Sequence, residues 1–248
     1  MARATGGLMK TVAVIQHTSS EYLGLIEDHL EGRRIRFRYF RPFTAGGKLP
    51  GVEDVTEGLV LLGGGPWGAA PGPHCLPTLD AEVKLVSAAL AAACPVIGIG
   101  LGAQILALAS GGDVLAGPLE FDVGLATRTV DDALGGFLPL RYPLVRFQRD
   151  EVVLSPRARV LAQDDKGRPA LFQCAGNAFG FSGHPGAKSA MIEDLIMEFA
   201  DGPLEVKSAL VALRAARVAI EDALVPIMTG LVQCTGLMSE HGQDAVRG

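Results

Sequence analysis

The strongest constraint on the fold is a recurring unit: a short, nearly all-apolar run, a glycine- or turn-bearing stop, and then a helical pattern. Thr11-Val-Ala-Val-Ile-Gln16, Gly58-Leu-Val-Leu-Leu62 and Pro95-Val-Ile-Gly-Ile99 show almost no alternation of apolar and polar residues. A strand of that composition is buried on both faces, as a central parallel strand is. Helical patterns lie at Tyr22–Leu30, Leu79–Ala93 and Leu101–Ala109, the last stopped by Gly111-Gly112. The alternation predicts a doubly wound, mostly parallel α/β sheet of flavodoxin-like layers. Ile35–Phe40 differs from the other strands. Arg33, Arg34, Arg36 and Arg38 interleave there with Ile35, Phe37, Tyr39 and Phe40, the pattern of an edge strand with one solvated face.

From about 113 to 175 shorter strands and turns take over, including a hairpin signal where Asp164-Asp-Lys-Gly167 separates Val160-Leu-Ala162 from Ala170-Leu-Phe172. Phe179-Gly-Phe181 and a helix at 189–200 complete a unit expected to span 11–201. Hydrophobic residues make up 48 % of the chain and charged residues 20 %, enough for a packed core. The net charge of −5 and the lack of a dense basic run argue against nucleic-acid binding. Cys75, Cys94, Cys174 and Cys234 form no CxxC pair and read as reduced, buried residues. His74-Cys75 alone does not fill a tetrahedral site, so neither a metal nor a cofactor is expected. No apolar stretch of about 18 residues exists, and Met1–Met9 has no leader-like character, so a cytoplasmic chain without a membrane span is expected.

The segment 203–248 reads as a helical extension. Val206, Leu210, Leu213, Arg217, Ile220, Leu224, Ile227 and Leu231 recur at steps of three and four, and Val211, Val218, Val225 and Val232 form a neighbouring stripe. Pro226 should bend or split this helix at Val225. The pattern suits a helix packed on its own domain, and it equally suits a seam for homo-oligomers or another protein through 203–232.

The most informative string is Pro95-Val-Ile-Gly-Ile-Gly-Leu-Gly-Ala-Gln-Ile-Leu-Ala-Leu-Ala-Ser-Gly-Gly112. It resembles the nucleophile segment of class I glutamine amidotransferases, P-V-x-G-I-C-L-G-x-Q-x-L-A-x-x-x-G-G. Leu62-Gly-Gly-Gly-Pro-Trp-Gly68 resembles the family's GGPxG loop, Glu120-Phe-Asp-Val-Gly124 its E-I-G segment, and Gly180-Phe-Ser-Gly-His-Pro-Gly186 its G-x-Q-F-H-P-E segment. The resemblance covers roughly 11–200, in family order, and implies the amidotransferase sheet.

It also implies a site. In the family a cysteine rides a sharp strand-to-helix turn, where the helix N-terminus lowers its pKa. A histidine takes its proton and a carboxylate orients that histidine. The matching positions here are Gly100, His184 and Gly186, so two of the three groups are missing. In a well-studied hydrolase triad, loss of the nucleophile alone lowers turnover on the order of 10⁶, roughly 8 kcal/mol of barrier. Gly65 and Leu101 match the backbone N–H groups of the oxyanion hole, and Gln104 matches a residue that holds the substrate amide or, equally, bridges loops. Without the carboxylate, His184 reads as a hydrogen-bonded loop residue. Trp67 is either a lid or a cover for apolar surface. The expected protein is amidotransferase-like and non-catalytic, a ligand-binding or regulatory partner. A glutamine-like small molecule and a synthetase or other protein are its implied partners. The competing reading is an enzyme of the same fold that uses a non-standard or partner-supplied nucleophile.

Overall fold

The computed structural model describes residues 9–238. Residues 1–8 and 239–248, the latter the last part of the expected helical extension, lie outside the described residues. Among the described residues eleven strands and five α-helices follow one another. They are β1 (Thr11–Ile15), α1 (Ile26–Glu31), β2 (Arg36–Phe40), β3 (Leu59–Leu61), α2 (Leu79–Ala91), β4 (Val96–Ile99) and α3 (Leu101–Ala109). Then come β5 (Asp113–Leu115), β6 (Glu120–Arg128), β7 (Arg141–Gln148), β8 (Glu151–Val153), β9 (Arg159–Gln163), β10 (Pro169–Ala175), β11 (Ala178–Phe181), α4 (Ser189–Glu198) and α5 (Val206–Cys234).

Nine strands form one sheet in the order β2-β1-β3-β4-β11-β10-β9-β6-β7. The half from β2 to β11 is parallel, with Leu59 beside Val96 and Ala178 beside Val96 from the other side. The remaining four strands join antiparallel. This is the α/β architecture the sequence predicted, with β2 as the edge strand and Arg36 and Arg38 turned to solvent. The all-apolar runs are explained by burial on both sides. On β1, Val12 and Val14 face α1 and α5, whereas Ala13 and Ile15 face α2 and α3.

Two expectations need correction. The first helix begins at Ile26 instead of Tyr22. Gly24 has φ +64°, and a Cβ there would stand 2.2 Å from the carbonyl oxygen of Gly186, so the chain turns at this point to dock on the 182–186 loop. Leu25 N–H donates to that same carbonyl at 2.9 Å. Pro226, for its part, does not split the C-terminal helix, because α5 runs unbroken from Val206 to Cys234. Proline removes one N–H, whose partner would be the carbonyl of the exposed Asp222, open to water. Buried Ile220 and Leu224 before the proline and Ile227, Met228 and Leu231 after it hold both halves on the sheet.

That burial decides what the seam does. Leu213, Ile220, Leu224, Ile227 and Leu231 are all at most 3 % exposed, packed on their own chain. Each contributes roughly 2 kcal/mol, an upper figure, so the face is not free to pair with anything else. No helix among the described residues is long and apolar enough to cross a membrane.

Candidate functional site

β4 ends at Ile99 and α3 starts at Leu101, so Gly100 alone makes the turn. Its φ of +58° and ψ of −116° lie where side chains are strained and glycine is not. Three strand ends meet here. Gly100 N–H donates to Phe181 O at 2.8 Å, and Gly102 N–H donates to Leu62 O at 3.1 Å. A Cβ at position 100 would meet Gly63 Cα at 3.3 Å, a tight contact, and Gln148 Oε1 at 3.8 Å, with nothing nearer among the described residues. Neither atom is a nucleophile. Cys94 lies before β4, at the strand's opposite end.

His184 is 4 % exposed, in the loop after β11. Its Nε2 lies 2.8 Å from the carbonyl oxygen of Tyr22, which can only accept, so Nε2 carries the proton. Its Nδ1 receives the N–H of Gly186 at 3.2 Å. The ring is a neutral imidazole with both nitrogens engaged by backbone. Burial pushes its pKa down to about 4, against the opposing pull of the Tyr22 carbonyl. Beside it, a Cβ on Gly186 would meet Ile26 Cγ1 at 3.0 Å, Ile26 N at 3.1 Å and Leu224 Cδ2 at 3.4 Å. The space a longer side chain would need at 186 is filled by α1 and α5.

Gly65 and Gln104 are also in use. Gly65 N–H points at Glu21 Oε2, 3.2 Å away. Gln104 is fully buried, accepts from Ala69 N–H at 3.1 Å and donates to Arg149 O at 2.5 Å, so it bridges two loops. Leu101 is buried at the first turn of α3. Trp67 is half-buried and packs against the core between the sheet and α2–α3.

A polar cluster that the sequence reading missed underlies the 62–65 loop. His17 Nδ1 lies 3.1 Å from both Leu62 O and Gly63 O, and Nε2 lies 2.8 Å from Glu82 Oε2. Both ring nitrogens face acceptors, which favours the doubly protonated ring. Burial opposes that charge, but the Glu82 carboxylate outweighs it, and the His17 pKa is raised. Thr78 Oγ1 donates to the other Glu82 oxygen at 2.6 Å. Glu21, 3 % exposed, lies over Gly63–Gly65, and burial pushes it up to about 7 despite the Gly65 N–H and the nearby His17 charge. A signal did exist. Glu82 sits among Leu79, Val86 and Ala89 on the apolar stripe of its helix, and His17 and Glu21 follow a strand's C-terminal end, where open α/β sheets bind ligands.

A cavity of about 220 Å³ lies at the end of β7, with Glu120, Arg146, Gln148, Asp150, Arg168 and Ser182 in its walls. Gln148 Oε1 is buried with no hydrogen-bond partner among the described residues. Asp150 fixes one wall, accepting from Ala70 N–H and Gly117 N–H, each at 3.0 Å. Among the described residues no group of three or more His, Cys, Asp or Glu side chains is placed to hold a metal ion.

A sequence profile of the family described as glutamine amidotransferase class-I matches residues 42–194. The glutamine amidotransferase-like protein YfeJ of Salmonella typhimurium is 29 % identical over 197 residues, covering 75 % of this chain and 79 % of that protein. A glutamine amidotransferase from Methylobacillus flagellatus superposes with a TM-score of 0.78 at 22 % identity, over 97 % of this chain and 100 % of the other. One from Thermotoga maritima superposes with a TM-score of 0.75 at 25 % identity, over 91 % and 98 %.

Proposed function

The chain belongs to the class I glutamine amidotransferase family, and we propose that within it this protein binds a small polar ligand and acts on a partner protein without hydrolysing glutamine. The observation that carries the reading is the turn at Gly100. Its backbone has the strained geometry that presents a nucleophile, and among the described residues no thiol or hydroxyl lies within 4 Å of where that side chain would begin. The neutral, backbone-bound state of His184 supports it, since an imidazole with both nitrogens engaged has no free lone pair for a thiol proton. So does Gly65, whose N–H serves Glu21 and not an oxyanion.

In this reading residues 11–201 are the amidotransferase-like unit, and the segment from 203 onward has taken over the space of the orienting carboxylate through Leu224. The cavity beside Gln148 is the ligand site. Its size and mixed charge suit a molecule such as glutamine or glutamate. A synthetase is the partner that the family resemblance suggests.

The test is direct. Purified protein incubated with glutamine should release no ammonia above buffer, while glutamine or glutamate should raise the melting temperature. At 100 times Kd, binding stabilises by about 2.7 kcal/mol. Glutamine turnover above background would sink the non-catalytic reading. Failure of both ligands to shift melting would sink the ligand assignment.

A further inference from the structure

The helix α5 is apolar on two opposite sides, and only one is used. Leu213, Ile220, Leu224, Ile227 and Leu231 are buried on the sheet. On the far side Leu204, Val211, Val218 and Val225 are 99 %, 65 %, 64 % and 53 % exposed. These four recur at intervals of seven residues, starting in the turn that leads into the helix. At about 1.5 Å per residue they line a straight stripe roughly 30 Å long. Single exposed apolar residues need no explanation, but their recurrence at every seventh position along one helix does.

Lys207 and Arg214 flank the first half of the stripe, with Glu205 at its start, and Arg217, Glu221 and Asp222 flank the second. Arg214 reaches Glu193 and Arg217 reaches Glu221 within the chain. Lys207 and Asp222 are exposed, and neither forms an ion pair among the described residues. From the stripe and its charges we infer that α5 pairs antiparallel with α5 of a second copy of this chain. The register follows from the spacing. Leu204 comes level with Val225 of the partner subunit, and Val211 with Val218 of the partner subunit. The same register sets Lys207 opposite Asp222 of the partner subunit, and does so twice by symmetry. A parallel pair would also stack the apolar residues, but would set Lys207 against Lys207 and Asp222 against Asp222. Charge therefore selects the antiparallel form.

A contact one helix long is smaller than the roughly 800 Å² per partner of a standard stable interface, so the dimer is weak and concentration-dependent. Sedimentation equilibrium of the full chain, from about 1 to 500 µM, reads it, since the mass should rise from one chain towards two over this span of modest affinities. Val218→Glu should leave a monomer with unchanged melting, because Val218 touches solvent and not the core. Asp222→Lys should weaken pairing roughly tenfold, and Lys207→Glu added to it should restore most of the loss. A monomer at every concentration, or a dimer indifferent to Val218→Glu, overturns the interface. A double charge exchange no better than the single one overturns the antiparallel register.

Discussion

Gly100 and Gly186 stand where the family resemblance places the nucleophile and the carboxylate of one catalytic set, but their surroundings differ. At Gly100 the turn is held by backbone bonds to Phe181 and Leu62, and an added Cβ would crowd little beyond Gly63. At Gly186 the backbone packs against Ile26 and Leu224, and His184 takes the local N–H. The first position keeps the shape of an open turn. The second is closed by the core. A side chain at position 100 should therefore be tolerated better than one at position 186.

Four measurements break or sharpen that contrast, from the largest expected effect down. Gly186→Glu forces a carboxylate against Ile26 and Leu224 and should destabilise by about 4 kcal/mol or more, enough to be read as a collapse of the denaturant midpoint. A midpoint within about 1 kcal/mol of the parent would mean the space is not closed.

The acid limb of stability tests His184. Its pKa, about 4 in the fold, lies below the ordinary 6.5, so the unfolded chain binds this proton first as pH falls. Stability should drop between pH 6.5 and 4, by about 3 kcal/mol from this group if it acts alone. His184→Gln should flatten that limb, and an unaltered pH profile would mean the ring titrates normally.

Glu21 runs the other way. Burial raises it from 4.5 to about 7, so the folded chain holds the proton that the unfolded chain has released. Its contribution is favourable at low pH and lost as pH rises towards 7. Glu21→Gln should then stabilise by about 2 kcal/mol at pH 8 and little at pH 4.5. Equal effects at both would show that the carboxylate is not buried in its charged form.

Gly100→Cys should have the smallest effect. The φ of +58° strains any side chain, at about 1 kcal/mol, yet the space exists and the chain should fold. Its thiol should react with iodoacetamide, and glutaminase activity should stay at background because His184 is committed elsewhere. Turnover in this variant would show that the rest of the site still works.

How much of this was written in the sequence depends on the range over which residues act. The helix Leu101–Ala109 was placed to the residue, because its start and stop are set by Gly100 and by Gly111-Gly112, all neighbours in the chain. The buried strands were equally plain from composition alone. The start of α1 was missed because Gly24 turns to meet Gly186, a residue far along the chain. The pairing of His17 with Glu82 spans 65 positions, and no local pattern announces it. The two apolar stripes of α5 were both visible, but which one faces the sheet depends on the sheet. Of the candidate site, position 100, a hydrogen-bonded His184 and a loop-bridging Gln104 could be read from the motifs, whereas their partners, and the Glu21 carboxylate at Gly65, could not.

The three strand ends tied together at Gly100 give the turn a mechanical role of its own. Ile99 and Phe181 terminate β4 and β11 and Leu62 directly follows β3, and two peptide hydrogens at the bend lash the outer two strands to the middle one. A bend that braces the rim of a sheet is held in place by that load, whatever chemistry the turn carries.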